Sequence, residues 1–389
     1  MIQREIKHKM LELAGKFPVI TLTGPRQSGK TTLLRHLYPE KKYISLEDLD
    51  NRQYAKEDPR AFLSELKDGA ILDEVQRVPE LFSWLQGITD REGKAGMFFL
   101  SGSQNFLLME GISQSLAGRA AILKLLPLSN QELNGTSFKG QELEERIFYG
   151  GYPRIYDKEI LPSDFYSSYL QTYVERDIRL MKNIQDLSLF NRFIKLCAGR
   201  VGQLLNLSAL ANDCGISQTT AQAWLSLLQT SYIVYLLQPH YVNFTKRLTK
   251  MPKLYFYDTG LACHLLNIDN SNQIRTHYMR GSLFENMVII ELLKHSLNSG
   301  KELPLYYWRD KTGNEVDCLI ETSSGIHLIE IKSSLTFNSD FLKNITYYDK
   351  LNNGKFVLDK IIVYAGTEAQ NRQNFRLLSW QDFNLEKLH

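Results

Sequence analysis

Eight consecutive residues constrain this chain most: Gly24, four intervening residues, then Gly29, Lys30 and Thr31. Residues 17–23 (FPVITLT) before the loop read as a buried strand, and the TLLRHLY run after it carries helical periodicity. Strand, glycine loop and helix in that order match G-x-x-x-x-G-K-[ST]. In such a loop the backbone N–H groups curl inward around phosphate oxygens and the helix adds the positive end of its dipole. Gly24, Pro25, Arg26, Gln27, Ser28, Gly29, Lys30, Thr31 and Thr32 are therefore the candidate phosphate cradle. Lys30 is suited to reach the β and γ phosphates of a nucleotide, and the Thr31 hydroxyl to ligate Mg²⁺. An ordinary glycine turn is the competing reading, and the flanking strand and helix disfavour it.

A second strand pattern, residues 70–75 (AILDEV), ends in adjacent carboxylates. Beside a phosphate loop this suits Asp73 as a holder of Mg²⁺ and Glu74 as the base that activates water, although a surface turn can also begin with Asp-Glu. Residues 97–101 (MFFLS) give a third strand followed by Gly102, Ser103 and Gln104, polar groups at the strand end where open α/β sheets bind nucleotides. Ser103 or Gln104 could sense the γ-phosphate, or simply turn the chain. Arg119 in SLAGRA is a candidate arginine finger, in cis or offered to a neighbouring subunit of a homo-oligomer; an exposed helix-end arginine is the alternative. No Asn/Thr-Lys-x-Asp guanine-reading motif is present, which favours ATP over GTP. Asp73-Glu74 supplies a base for water, which disfavours a P-loop kinase.

The 389 residues predict two to three domains, and 43% hydrophobic with 23% charged residues describe a folded chain. No apolar run approaches the roughly 20 residues of a spanning helix, and the N-terminal MIQREIKHKM lacks a signal-peptide core, so a cytoplasmic protein without a membrane partner is expected. Cys197, Cys214, Cys263 and Cys318 are too far apart for CxxC chemistry and read as reduced structural residues.

Net charge is +3, and its excess lies in the middle: residues 1–150 carry 20 basic and 20 acidic side chains, 151–274 carry 12 and 9, and 275–389 carry 14 and 14. Within 187–257, Arg192, Lys195, Arg200, Lys246, Arg247, Lys250 and Lys253 face one acid, Asp213, a candidate footprint for DNA or RNA. Residues 207–213 predict a short helix, Gly215 a turn, Ser217 an N-cap, and 218–229 a second helix with Ala221, Trp224, Leu225 and Leu228 on one face. A strand at 232–237 and a basic hairpin (FTKRLTKMPK) returning through 253–257 complete a winged-helix-like pattern. The second helix offers no Arg or Lys to bases, which favours a packing or oligomerisation module over nucleic-acid contact.

In the last segment, residues 281–293 form an apolar helix carrying Glu285, while 314–321 and 327–334 read as strands of a hairpin around SSG. Alternation puts Glu330 and Lys332 on one face, where Asp317 of the paired strand can meet them. Asp317 and Glu330 with Glu285 are candidate Mg²⁺ ligands, and Lys332 a candidate partner for water or phosphate. An exposed ion pair is the plainer reading of E-x-K in a strand.

GPRQSGKT, AILDEVQ, MFFLSGSQ, SLAGRA, GGYPR (residues 150–154) and YVERDIR (173–179) together resemble bacterial and archaeal AAA-type ATPases that carry a C-terminal domain of unknown function. The acidic helix, the Asp and E-I-K resemble the PD-(D/E)XK nuclease fold. The resemblance implies nucleotide roles for Lys30, Thr31, Asp73 and Glu74, and suggests Arg119 as a candidate finger. It implies an α/β architecture: a P-loop parallel sheet over 1–150, a helical and winged-helix-like segment over 151–274, and a restriction-endonuclease-like domain over 275–389. An ATPase acting on or regulated by nucleic acid is then expected, or else a nucleotide-switched module whose last domain does not cut.

Overall fold

The computed structural model describes residues 2–103, 105–174, 186–240, 251–352 and 357–383. Gln104, residues 175–179 of the YVERDIR motif, and Lys246, Arg247 and Lys250 of the basic hairpin lie outside the described residues. The chain divides into two compact units: 1–128 with 230–232 and 297–301, and 129–229 with 233–296 and 302–389. Among the described residues no helix is long and apolar enough to cross a membrane.

The first unit is built on five parallel strands, β1 (Val19–Thr23), β2 (Lys42–Ser45), β3 (Ala70–Asp73), β4 (Phe98–Gly102) and β5 (Ala120–Lys124), in the order β2-β3-β4-β1-β5. All residues of β1, β3 and β4 are buried, because helices cover both faces of a parallel sheet. The period-two alternation of a strand divides their side chains between two cores. Ile20, Leu22, Ile71 and Phe99 pack with Leu33 and Leu34 of the loop's helix, while Leu72, Phe98 and Leu100 pack with Phe82 and Leu108. β4 lies between β1 and β3, so Ser101 and Ser103 emerge between the glycine loop and Asp73-Glu74.

In the second unit, the helices Leu187–Ala198, Leu207–Cys214 and Gln218–Thr230 precede an antiparallel pair, β6 (Val234–Pro239) and β7 (Lys253–Phe256). Gly215 closes the second helix at φ 78°, Ser217 Oγ accepts the N–H of Thr220, and Trp224 packs edge-on against Phe190 and Phe193. The long helix Arg280–Asn298 then leads into an antiparallel meander, β8 (Leu305–Arg309), β9 (Glu315–Thr322) and β10 (Gly325–Lys332). The helix Lys343–Leu351 crosses to β11 (Val357–Tyr364), parallel to β10, and β12 (Gln370–Arg372) and β13 (Phe375–Ser379) complete that edge.

The boundary expected at 274/275 does not divide this sheet. β6 pairs in parallel with β8 through Gln238 and Pro239, joining both regions in one eight-stranded sheet, and residues 129–150 belong to the same unit. An isolated two-stranded hairpin is marginal in water, and β8 gives β6 the further neighbour it needs.

Candidate nucleotide site and a buried acid–lysine cluster

The glycine loop is shaped by left-handed backbone. Gly24 has φ +145°, and a Cβ there would stand 2.1 Å from the carbonyl oxygen of Leu125. Gln27 at φ 61° and Gly29 at φ 94° turn the chain into the helix Lys30–Leu37. Successive reversals of this kind aim N–H groups into one concavity, an anion-binding geometry. Arg4, which no sequence motif marks, braces the loop from behind by donating to the carbonyls of Ser28 at 2.7 Å and Leu126 at 2.6 Å. Ser28 Oγ is buried without a hydrogen-bond partner among the described residues, a polar group that suits a cradle for phosphate. Pro25 is buried, Arg26 half-buried and Thr32 exposed.

Lys30 is 6% exposed, and its ammonium donates to the carbonyls of Gly24 at 2.9 Å and Pro25 at 2.8 Å. Burial pulls its pKa down to about 8, against the opposing pull of Glu74 and Asp73 and with help from Arg26. Thr31 Oγ1 donates to Asp73 Oδ2 at 2.9 Å. Tyr43 donates to the same oxygen at 3.0 Å, while Ser101 donates to Oδ1. Burial, then the Asp73 carboxylate, pushes the Tyr43 hydroxyl up to about 12, so it remains a donor at neutral pH. Glu74 takes φ 55°, uncommon for a residue with a Cβ, and its Oε2 accepts from Gln76 Nε2 at 2.5 Å and Ser103 Oγ at 3.2 Å. Burial raises the Glu74 pKa, which moves a carboxylate toward the range of a useful general base. Thus Ser103 meets the acid itself. Tyr43 lies in no sequence motif, and Gln76 and Ser101 fall inside AILDEVQ and MFFLSGSQ without a role that spacing alone assigns.

Arg119 is elsewhere. It precedes β5, beside Val19 at the edge where the strands begin, whereas the glycine loop leaves β1 at the opposite edge. Its guanidinium is held by Asp90 at 2.5 and 3.0 Å. A cis finger is therefore ruled out by the parallel register. Arg26 within the glycine loop and Arg77 just after Glu74 both pair with Glu47, at 3.7 and 3.0 Å.

Among the described members of the basic run in the middle segment, Arg200 pairs with Asp213 and Lys253 is buried, while Arg192 and Lys195 are exposed on the helix Leu187–Ala198. The GGYPR motif acquires a structural role. Buried Asp258 accepts from Gly151 N at 2.7 Å, Tyr166 OH at 2.6 Å and Leu261 N at 3.0 Å, and a Cβ on Gly150 would stand 2.3 Å from the Tyr166 hydroxyl. Tyr152 donates to Tyr169 at 2.9 Å, and Pro153 opens the next short helix. Glycine is needed at position 150 because the backbone there has φ 67° and no free volume.

The acids of the last segment are assembled differently from expectation. Hairpin pairing of β9 and β10 brings Lys332 to 2.7 Å from Glu330 and 3.6 Å from Asp317, as alternation requires. Asp317 Oδ2 also accepts the N–H of Ile331 at 2.8 Å. Glu285, however, is engaged by Lys253 at 2.9 Å and by Tyr255 OH at 2.5 Å, and Lys253 also pairs with Glu315. Among the described residues no group of three or more His, Cys, Asp or Glu side chains converges as a metal site. The trio Glu285, Asp317 and Glu330 thus does not fit the divalent ion expected of it. Lysine nitrogens have taken up oxygens that an ion would need. Lys253 looks like a surface charge in the sequence, and nothing there links it to Tyr255 and Glu315 as one cluster.

Residues 16–134 match the family described as AAA domain, and two domains of unknown function follow, DUF8612 over 140–272 and DUF4143 over 280–383. An uncharacterized protein of Mycobacterium tuberculosis is 31% identical over 340 residues, covering 86% of this chain and 74% of that protein. An uncharacterized protein of Haemophilus influenzae is 24% identical over 296 residues, covering 72% and 70%. Among solved structures, the Walker-type ATPase of Pyrococcus abyssi aligns with a TM-score of 0.47 at 15% identity, over 68% of this chain and 96% of that one.

Proposed function

We propose that this chain, which carries an AAA domain over residues 16–134 and belongs to one family with the mycobacterial relative, is a Mg²⁺-dependent ATPase. One observation carries the reading: Lys30, Thr31, Asp73 and Glu74 come from separate strand ends to line one loop, and Thr31 and Asp73 are already in contact. The donor set fits a nucleotide with its metal. Glycines leave room for phosphate, and a hydroxyl and a carboxylate suit a hard divalent ion. Thr31 and Asp73 would hold Mg²⁺, whose charge offsets that on the phosphates. Lys30 exchanges its two backbone carbonyls for phosphate oxygens, which relieves an ammonium desolvated by its own loop. Ser103 and Gln76 orient Glu74, and Glu74 takes the proton of the attacking water. Tyr43 and Ser101 fix the Asp73 carboxylate in direction.

Lys30→Ala should lose ATP binding by at least ~10²-fold, while Glu74→Gln should keep binding and lose at least ~10² in turnover, the usual worth of a general base. Filter binding and steady-state hydrolysis check both, and unchanged affinity in the first variant would remove the loop from the mechanism. Arg119 enters this reading only as a finger offered to a neighbouring copy.

A second unit that binds rather than cuts is favoured by its lysine-filled acid cluster. Its helix–β8–β9–β10–helix–β11 order supports a nuclease-like scaffold. Exposed Arg192 and Lys195 support a nucleic-acid partner, for which stimulation of ATP turnover by DNA or RNA at fixed salt is the test.

A further inference from the structure

Lys253 stands on β7, outside the helix–β8–β9–β10–helix–β11 run that carries the acids, yet its ammonium is delivered into their midst. It is 2% exposed, 2.9 Å from Glu285 Oε1, paired with Glu315, and 5.7 Å from the ring centre of Tyr307. Tyr255, two residues along the same strand and so on the same face, donates to the same Glu285 oxygen at 2.5 Å. The second oxygen of Glu315 accepts from Arg309 at 3.0 Å. On the other side Lys332 takes Glu330 Oε1 at 2.7 Å, leaving Oε2 of this 1% exposed residue buried without a partner among the described residues.

We infer that Lys253 is a built-in cation that stands in for a divalent metal ion in this acid cluster, so that the second unit keeps the charges of a metal site in a metal-free, locked form. The inference rests on reading the cluster as that of a nuclease-like scaffold and owes nothing to the nucleotide site. The charge inventory supports it. Four carboxylates, Glu285, Glu315, Asp317 and Glu330, face three fixed cations, Lys253, Lys332 and Arg309. The geometry thus leaves at most one net negative charge in the cluster. A divalent ion would then be excess charge in a low-dielectric site, which is costly. Without Lys253 the same carboxylates become an unbalanced buried anion cluster, and hard divalent ions are the partners such oxygens select. Because the ammonium arrives on β7, it also ties the β6–β7 hairpin to the acid-bearing sheet, an ionic contact in addition to the short β6–β8 ladder.

The test is a Mn²⁺ titration of the full chain in nucleotide-free buffer by calorimetry. Lys253→Ala should gain a site at least ~10-fold tighter than any in the wild type, a change of about 1.4 kcal/mol or more. Adding Asp317→Asn should abolish the gain, and Lys253→Arg, which keeps the charge, should not show it. Lys253→Gln is the second charge-removing variant, keeping a donor for Glu285, and a Mn²⁺-dependent rise in melting temperature of either variant counts as the same gain. A folded charge-removing variant that takes up no Mn²⁺ overturns the inference. So does Asp317-dependent Mn²⁺ uptake by the wild type, a result that needs no folded variant. ATP turnover in the same samples separates the two readings: an inert wild type sinks the ATPase assignment and leaves the Mn²⁺ result standing.

Discussion

Lys30 and Lys253 are both buried lysines near carboxylates, 6% and 2% exposed, and they differ in what touches the nitrogen. Lys30 meets two backbone carbonyls, with Asp73 and Glu74 acting only through space, and burial wins, bringing its pKa down to about 8. For Lys253 burial also opposes the charge, yet Glu285, Tyr255, Glu315 and Asp317 outweigh it and hold the pKa well above the ordinary lysine value. A buried ammonium stabilises a fold only when its counter-charges are within contact. One left with neutral acceptors is kept for a ligand that will bring the charge.

Stability measurements can break this comparison. Lys253→Met strands two carboxylates, and removing one partner of a buried ion pair costs about 3–5 kcal/mol, so chemical denaturation should show a loss of that size. Lys30→Met should change nucleotide-free stability by no more than about 1 kcal/mol, since two lost hydrogen bonds of about 1 kcal/mol each offset the relief of a desolvated charge. Equal losses in the two variants would show that the difference in contacts has no thermodynamic weight.

A pH series sharpens the same contrast. The folded state lowers Lys30 from 10.5 to about 8, so between these values the unfolded chain binds the extra proton and stability must rise with pH. The wild type should therefore gain up to about 3 kcal/mol relative to Lys30→Met from pH 8 to pH 10.5, at about 1.4 kcal/mol for each pH unit crossed. Lys253, shifted upward, contributes stability that persists through this window, and Lys253→Met should show no such relative rise.

How far these features were legible depended on sequence distance. The glycine loop, the hairpin of β9 and β10 and the two helices about Gly215 were legible because each is set by neighbours within a few residues, where spacing alone fixes geometry. Lys253 reads as surface charge because its partner Glu285 is 32 residues away and no local pattern distinguishes a buried lysine from an exposed one. Arg119 falls among the catalytic candidates on its SLAGRA motif alone, whereas parallel register puts it at the far edge of the sheet. Gly150 has no role derivable from its neighbours in sequence, since Tyr166 and Asp258 occupy the space its side chain would need. The single sheet spanning the second unit is hidden for a similar reason, because β6 meets β8 through only two residue pairs.

The smallest effect belongs to Glu330, the acid whose second oxygen is left without a partner. Burial, then Asp317, raises its pKa from 4.5 to about 8 against the pull of Lys332. In that interval the folded state keeps a proton that the unfolded chain releases. The contribution is thus fully present below about 4.5 and lost as pH rises through about 8. Glu330→Gln is neutral throughout and preserves an acceptor for Lys332, so the wild type should lose stability relative to it by at most about 1.4 kcal/mol from pH 6 to pH 7. Denaturation midpoints of the two proteins at those pH values measure the slope directly. A flat relative profile would mean that Glu330 is ionised at neutral pH in the folded state as well. The cluster would then carry one net negative charge with Lys253 in place.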